Sequence, residues 1–231
     1  MVRGTAQIGP QPDPIPCHHP LPAYRPYTNG TDMITTTLQT ILLLWASYCL
    51  LRVWRAPGNA VQVSAEVIAN CPNDFAFQTY MKVREFYLQL SPAHKKYELH
   101  GTDLTKDVVI DVWEDAGFQF VRHQYRVTGL IPRERMRLVS EKSQVRVLGL
   151  FKGQTRSEVE FRFRPASASE CALGLTICIV FPNRLRHWLA RMFFTQAIWQ
   201  AHAKEEMMQL AKVMEQRFAQ NNNPQKGTQP T

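Results

Sequence analysis

From Val61 onward, apolar and polar positions alternate in short runs before giving way to one long helical stripe. Val61 to Ala69 alternates with period two and predicts a strand. Pro72 to Leu90 carries helical spacing, with Asn70 or Asn73 available as a cap, and Ser91-Pro92 ends it. Strands are predicted at Asp107–Trp113, Phe118–Thr128, Arg135–Glu141, Val145–Phe151, Glu158–Arg164 and Leu173–Phe181. Asn183 to Gln220 contains no Pro or Gly and reads as a single amphipathic helix. Its apolar stripe runs through Leu185, Trp188, Leu189, Met192, Trp199, Leu210 and Val213. A first strand, a helical segment, consecutive antiparallel strands and a closing helix predict an α+β domain whose curved sheet wraps the last helix.

The amino-terminal part follows different rules. Residues 1–32 are rich in Pro and polar residues and are expected to be disordered or extended. Ile34 to Trp54 is mostly apolar, almost without interruption from Ile41 to Leu51, so residues 33–55 are expected to form a single-pass membrane anchor. A buried or amphipathic helix, or a targeting segment starting at Met33, would show the same pattern. Arg52 and Arg55 follow the run and favour a cytosolic side for the rest of the chain. Asn29-Gly30-Thr31 is a glycosylation sequon, meaningful only if that end is lumenal. Ala56-Pro57-Gly58-Asn59 reads as the linker into a domain over 56–220, and 221–231 as a disordered tail.

Composition narrows the function classes. The net charge of +8 raises the question of nucleic acid or anionic membrane. Its basic residues are dispersed, with no run of five, so nucleic acid is not expected as a partner. The 5 cysteines show no CxxC spacing, which argues against a thiolate zinc finger and a disulfide scaffold. No Ser-His-Asp or Cys-His nucleophile pattern stands out, and Gly149-Leu150-Phe151-Lys152-Gly153 lacks phosphate-loop spacing.

Two polar residues interrupt the closing stripe. His202 and Glu206 fall one turn apart on its apolar face. A buried, unpaired carboxylate costs several kcal/mol, so such a Glu is protonated, paired or metal-bound. Glu205, about 100° around the helix, is expected in solvent. Glu114 extends the row Val108, Ile110, Val112 on one strand face, while Asp111 and Asp115 share the other. His94 lies in the turn Ser91-Pro92-Ala93-His94. His94, Glu114, His202 and Glu206 make a two-His, two-carboxylate set suited to zinc, or to iron or manganese. His100 or His123 could stand in for His94, and His123 shares a strand face with Val121, Tyr125 and Val127.

The order of elements resembles the helix-grip, START-like superfamily, whose sheet curls round the last helix and leaves an internal cavity. From Val61 to Phe218 the chain also resembles the 2,4-diacetylphloroglucinol hydrolase and phloretin hydrolase family. The resemblance rests on the Ser-Pro-x-His turn ending at His94, on Trp113-Glu114, and on His202-Ala203-Lys204-Glu205-Glu206. It implies zinc held by His94, Glu114, His202 and Glu206, and hydrolysis of a carbon–carbon bond joining an acyl group to a phenolic ring. The implied substrate is a small aromatic or polyketide-like ketone.

Such a reaction needs a group that relays a proton to the ring carbon or holds a phenolic oxygen. His123 and Tyr125 are the candidates, with Tyr97 and Tyr80 behind them. Trp188, Phe193, Phe194 and Trp199 could line a pocket for a flat ligand. The competing expectations are a non-catalytic START-like carrier of a lipid or other apolar ligand at a membrane, and a membrane-tethered interaction module.

Overall fold

The computed structural model describes residues 30–222. The expected Pro-rich segment and tail lie outside the described residues, except for 30–32 and 221–222, which are helical. Helix α1 spans Gly30–Arg55. Within it, Met33–Arg55 is long and apolar enough to cross a membrane, with a mean hydropathy of 1.5. The chain divides after Ile41, so the first turns of α1 form one unit and everything from Leu42 onward forms another.

In the second unit, β1 (Ala60–Ala69) leads to α2 (Asn73–Tyr80), a 3-10 turn at Val83–Glu85 and the one-turn α3 (Tyr87–Leu90). Six strands follow: β2 (His94–His100), β3 (Val109–Ala116), β4 (Gln119–Ile131), β5 (Arg135–Val147), β6 (Phe151–Pro165) and β7 (Cys171–Val180). Together with β1 they form one seven-stranded antiparallel sheet in the order β1-β7-β6-β5-β4-β3-β2. Register shifts in the β2–β3, β4–β5 and β5–β6 ladders let these long strands bend around the closing helix. Helices α4 (Arg184–Met192) and α5 (Thr195–Asn222) complete the chain. This is the expected helix-grip architecture.

Helix α5 buries Trp199, His202, Ala203, Glu206, Met207, Leu210, Ala211 and Met214, a stripe with steps of three and one that lies against the sheet. Along β3, Ile110, Val112, Glu114 and Ala116 are buried. Along β4, so are Val121, His123, Tyr125 and Val127. Period-two alternation thus points both polar rows at the helix.

Three expectations about the elements need correction. His94–His100 is a strand, although only Tyr97 and Leu99 mark its apolar face. The strand expected at 145–151 is not a separate one: residues 145–147 continue β5 through an irregularity between Ser140 and Ser143, 148–150 turn, and Phe151 opens β6. The single closing helix is two. Phe193 and Phe194 break it, with Phe194 at φ 53°, a conformation that costs a non-glycine residue about 1–2 kcal/mol. The side chain of Gln119 donates to the Phe193 carbonyl at 3.1 Å and to Thr195 Oγ1 at 2.9 Å, which holds the break from inside. From outside, Phe194 stacks on Trp45 of α1 at 4.9 Å.

Helix α4 therefore packs on the second half of α1 instead of extending the core stripe. Trp188 Nε1 donates to the Ala46 carbonyl at 3.0 Å, and Trp45 Nε1 to the Met192 carbonyl at 3.3 Å. Leu185, expected in the core, is 62% exposed.

Candidate metal centre and ligand cavity

His94 opens β2 directly opposite Glu114 of β3. Across the next ladder Val121 faces Glu114, and His123, two residues further on, pairs with Val112. His202 and Glu206 come down from α5, one turn apart. All five side chains are buried.

His94 Nε2 lies 3.8 Å from Glu114 Oε1 and 3.9 Å from Glu206 Oε2. His202 Nε2 is 3.8 Å from Glu206 Oε2, and His123 Nε2 is 3.7 Å from Glu114 Oε2. These separations exceed hydrogen-bond length. Nε2 of His94, His123 and His202 accordingly has no hydrogen-bond partner among the described residues. A buried, unpaired polar atom costs about 1–3 kcal/mol, so three such nitrogens around two carboxylates call for an occupant.

The spacing fits a divalent ion. Ligand bonds near 2.0–2.1 Å put the edge of a tetrahedral site at roughly 3.4 Å. Ligand atoms of His94, His202 and Glu206 all lie within 4.8 Å of one another. Glu114 flanks this trio beside His94, with His123 on its far side.

Neighbouring groups orient these side chains. His94 Nδ1 donates to the Tyr87 carbonyl at 2.8 Å, which leaves the lone pair of Nε2 facing the carboxylates. The Tyr87 ring stacks on the imidazole at 3.9 Å and 3°, and its hydroxyl donates to Glu114 Oε1 at 2.6 Å. His123 Nδ1 meets Ser143 Oγ at 2.8 Å, and that hydroxyl donates to Ser157 Oγ at 3.1 Å. Ser91 Oγ donates to Glu205 Oε2 at 3.1 Å and pins the Ser-Pro turn to α5, so Glu205 is half-buried instead of solvated. Hydrophobic periodicity does not single out Tyr87, Ser143 or Ser157. The one sign of Tyr87 in the sequence is its place in the helical segment ahead of the Ser-Pro turn.

The two carboxylates are pushed in opposite directions. Burial, reinforced by the charge of Glu114, pushes the Glu206 carboxyl up to about 8. Burial also acts to raise Glu114, but the imidazoles of His123, His202 and His94 outweigh it and hold that carboxyl well below the ordinary range. Burial lowers His94. Burial, with Glu114 and Glu206 nearby, keeps the Tyr87 and Tyr125 hydroxyls protonated far above their usual range.

Two chambers adjoin the cluster. The inner one, about 50 Å³, is walled by Glu114, His123, Tyr125, Trp199 and Glu206 among others. The outer one, about 310 Å³ and mostly apolar, is lined by Gln119, Val121, His123, Ile179, Phe193 and Trp199 among others. Its volume falls at the low end for small-molecule pockets. His123 and Trp199 stand in both walls. Trp199 is held by its indole N–H donating to Gln119 Oε1 at 3.1 Å. Tyr125 stacks on His123 at 4.6 Å and 18°.

Of the other expected residues, His100 pairs with Asp111 at 2.9 Å on the exposed sheet face and does not enter the cavity. Tyr97 and Tyr80 line the inner chamber. Trp188 and Phe194, expected to line a pocket for a flat ligand, pack against α1.

The fold recurs in TTHA0849 from Thermus thermophilus, at 15% identity over 68% of this chain and 98% of that one, with a TM-score of 0.55. A norcoclaurine synthase point mutant from Thalictrum flavum matches at 14% identity over 69% and 96%, with a TM-score of 0.48. Zhui aromatase/cyclase from Streptomyces sp. R1128 matches at 14% over 69% and 96%, with a TM-score of 0.45. No family model and no curated protein matches the chain. The first likeness carries the helix-grip fold, and the chemistry rests on this chain's own residues.

Proposed function

We propose that this chain is a zinc-dependent hydrolase that cleaves the carbon–carbon bond between an acyl group and a phenolic ring, held at a membrane by α1 with its folded domain on the cytosolic side. The observation that carries the reading is the set of three buried, unpartnered imidazole Nε2 atoms facing two buried carboxylates. His94, His202 and Glu206 would hold the ion, with Glu114 beside them. A bound zinc ion supplies Lewis-acid polarisation of a carbonyl oxygen and makes a water acidic near neutral pH.

The chain's own residues account for the rest. The apolar outer chamber takes the ring and excludes bulk water. His123, shared by both chambers, moves the proton that the ring carbon must receive as the acyl–aryl bond breaks. The water oxygen joins the acyl carbon, so the products are a carboxylic acid and the arene. Tyr125, protonated at neutral pH and stacked on His123, donates a hydrogen bond to a phenolic oxygen. Tyr87 fixes His94 and Glu114 without touching substrate.

The size and apolar lining of the outer chamber also favour a second reading, a carrier of an apolar ligand. Elemental analysis of the purified full chain separates the two. The hydrolase reading expects about one zinc per chain, lost in His202→Ala and Glu206→Ala variants that keep their far-ultraviolet dichroism. No zinc after supplementation, together with a lipid recovered by solvent extraction, would leave the carrier.

A further inference from the structure

The end of the folded unit that carries the cavity mouth groups exposed apolar side chains beside basic ones. The β5–β6 hairpin turns there through Leu148 and Gly149, both left-handed at φ 52° and 70°. The turn holds Leu148, Leu150 and Phe151 out in water, with Leu150 78% exposed. Leu150 and Phe151 also line the mouth of the outer chamber. Bulky apolar side chains grouped in water mark a contact surface.

Four cations flank this tip on one side. Arg122, Arg146, Lys152 and Arg186 line a groove of about 380 Å³ beside the mouth, with no carboxylate in its wall. Elsewhere on the sheet Arg137 and Arg156 pair with Glu158, Arg162 with Glu160, and Arg164 with Glu66. None of the four groove cations makes an ion pair among the described residues. The tip is also continuous with the second half of α1. Phe151 packs on Phe193 at 5.4 Å, and the next residue, Phe194, stacks on Trp45 at 4.9 Å.

We propose that this mouth docks on an anionic lipid bilayer. Leu148, Leu150 and Phe151 enter the acyl boundary, and Arg122, Arg146, Lys152 and Arg186 meet headgroup phosphates. An apolar ligand then passes between membrane and cavity without crossing water. Apolar side chains alone would favour a protein partner equally, but a groove of cations without ion-pair partners beside them matches a surface that is negative in every direction. Docking needs neither the metal nor the reaction, and it shares only the bilayer with the anchor reading.

The test uses the full chain in lipid nanodiscs, with an environment-sensitive fluorescent amino acid in place of Leu150. In discs containing phosphatidylserine, emission should shift to the blue and be quenched by lipid-borne quenchers. In pure phosphatidylcholine discs, and in the Arg146→Glu/Lys152→Glu variant, it should stay water-like, each lost cation weakening docking about fivefold. Water-like emission in both lipids overturns the proposal, and so does an equal blue shift in both. Alkaline carbonate extraction reads the anchor separately. A chain that stays in the membrane with a wet probe refutes docking alone, while one that washes out yet shows a dry probe in anionic discs supports docking and refutes the anchor.

Discussion

His94 and Glu114 face each other across the β2–β3 ladder, with Nε2 and Oε1 3.8 Å apart, and Tyr87 touches both. Its ring lies flat on the imidazole, its carbonyl accepts a hydrogen bond from Nδ1–H, and its hydroxyl donates to the carboxylate. One residue on α3 thus aims two groups from neighbouring strands at the same point.

Tyr87→Phe keeps the ring and the carbonyl but removes the donor to Glu114. Zinc affinity should fall by roughly 10–100-fold, the usual effect of losing a partner behind a ligand. Far-ultraviolet dichroism should stay unchanged. Competition with a chromophoric chelator measures the affinity, and an unchanged constant would remove Tyr87 from the site.

Metal-free protein should lose stability as pH rises. Glu206 is held at about 8 in the fold against an ordinary 4.5, so the native state binds this proton more tightly than the unfolded chain. Its contribution is complete below the unfolded value, declines through the interval and is gone above about pH 8. Thermal unfolding in chelator from about pH 5 to about pH 8 should show a falling Tm in the wild type and a flatter profile in Glu206→Gln. Zinc must displace the same proton, so its affinity should rise over this range. A flat wild-type profile would mean that Glu206 holds no proton there.

His123→Ala tests whether this imidazole handles protons or holds the ion. Its Nε2 faces Glu114 at 3.7 Å and lies outside the compact trio. Zinc content should therefore survive while kcat on an acylphenol drops ~10²–10⁴-fold. Loss of zinc together with activity would make His123 a ligand.

Gln119→Leu removes the clamp between the helix break and the sheet. It strands the Phe193 carbonyl and the Trp199 indole, at about 1–3 kcal/mol for each buried group left unpaired. Urea denaturation should show the loss with a nearly constant slope. Unchanged stability would mean that water or the α1 contact of Phe194 is enough to hold the break.

The inward aim of Glu114, His123, His202 and Glu206 is legible in the amino-acid sequence, because facing is a local property. Period two assigns each strand residue to one side, and 3.6 residues per turn assigns each helix residue to one stripe. The same arithmetic predicts most of the strands and much of the buried stripe of α5, and it sets Asp111 and Asp115 on the opposite side. His94 enters only through the resemblance and the His-containing turn.

Relations between elements lie beyond the reach of periodicity. His94–His100 lacks an apolar rhythm and becomes a strand because the edge of β3 offers it a ladder. The break at Phe193 and Phe194 has no Gly or Pro to announce it. It exists because Gln119 from inside and Trp45 from outside each secure one part of the bend. The 3.7–3.9 Å convergence of imidazoles and carboxylates likewise depends on strand register, which pairs residues far apart in the chain. Local pattern thus settles which residues face inward. Which of them meet is settled in three dimensions, because distance between elements comes from packing and register, and neither is a property of any one segment.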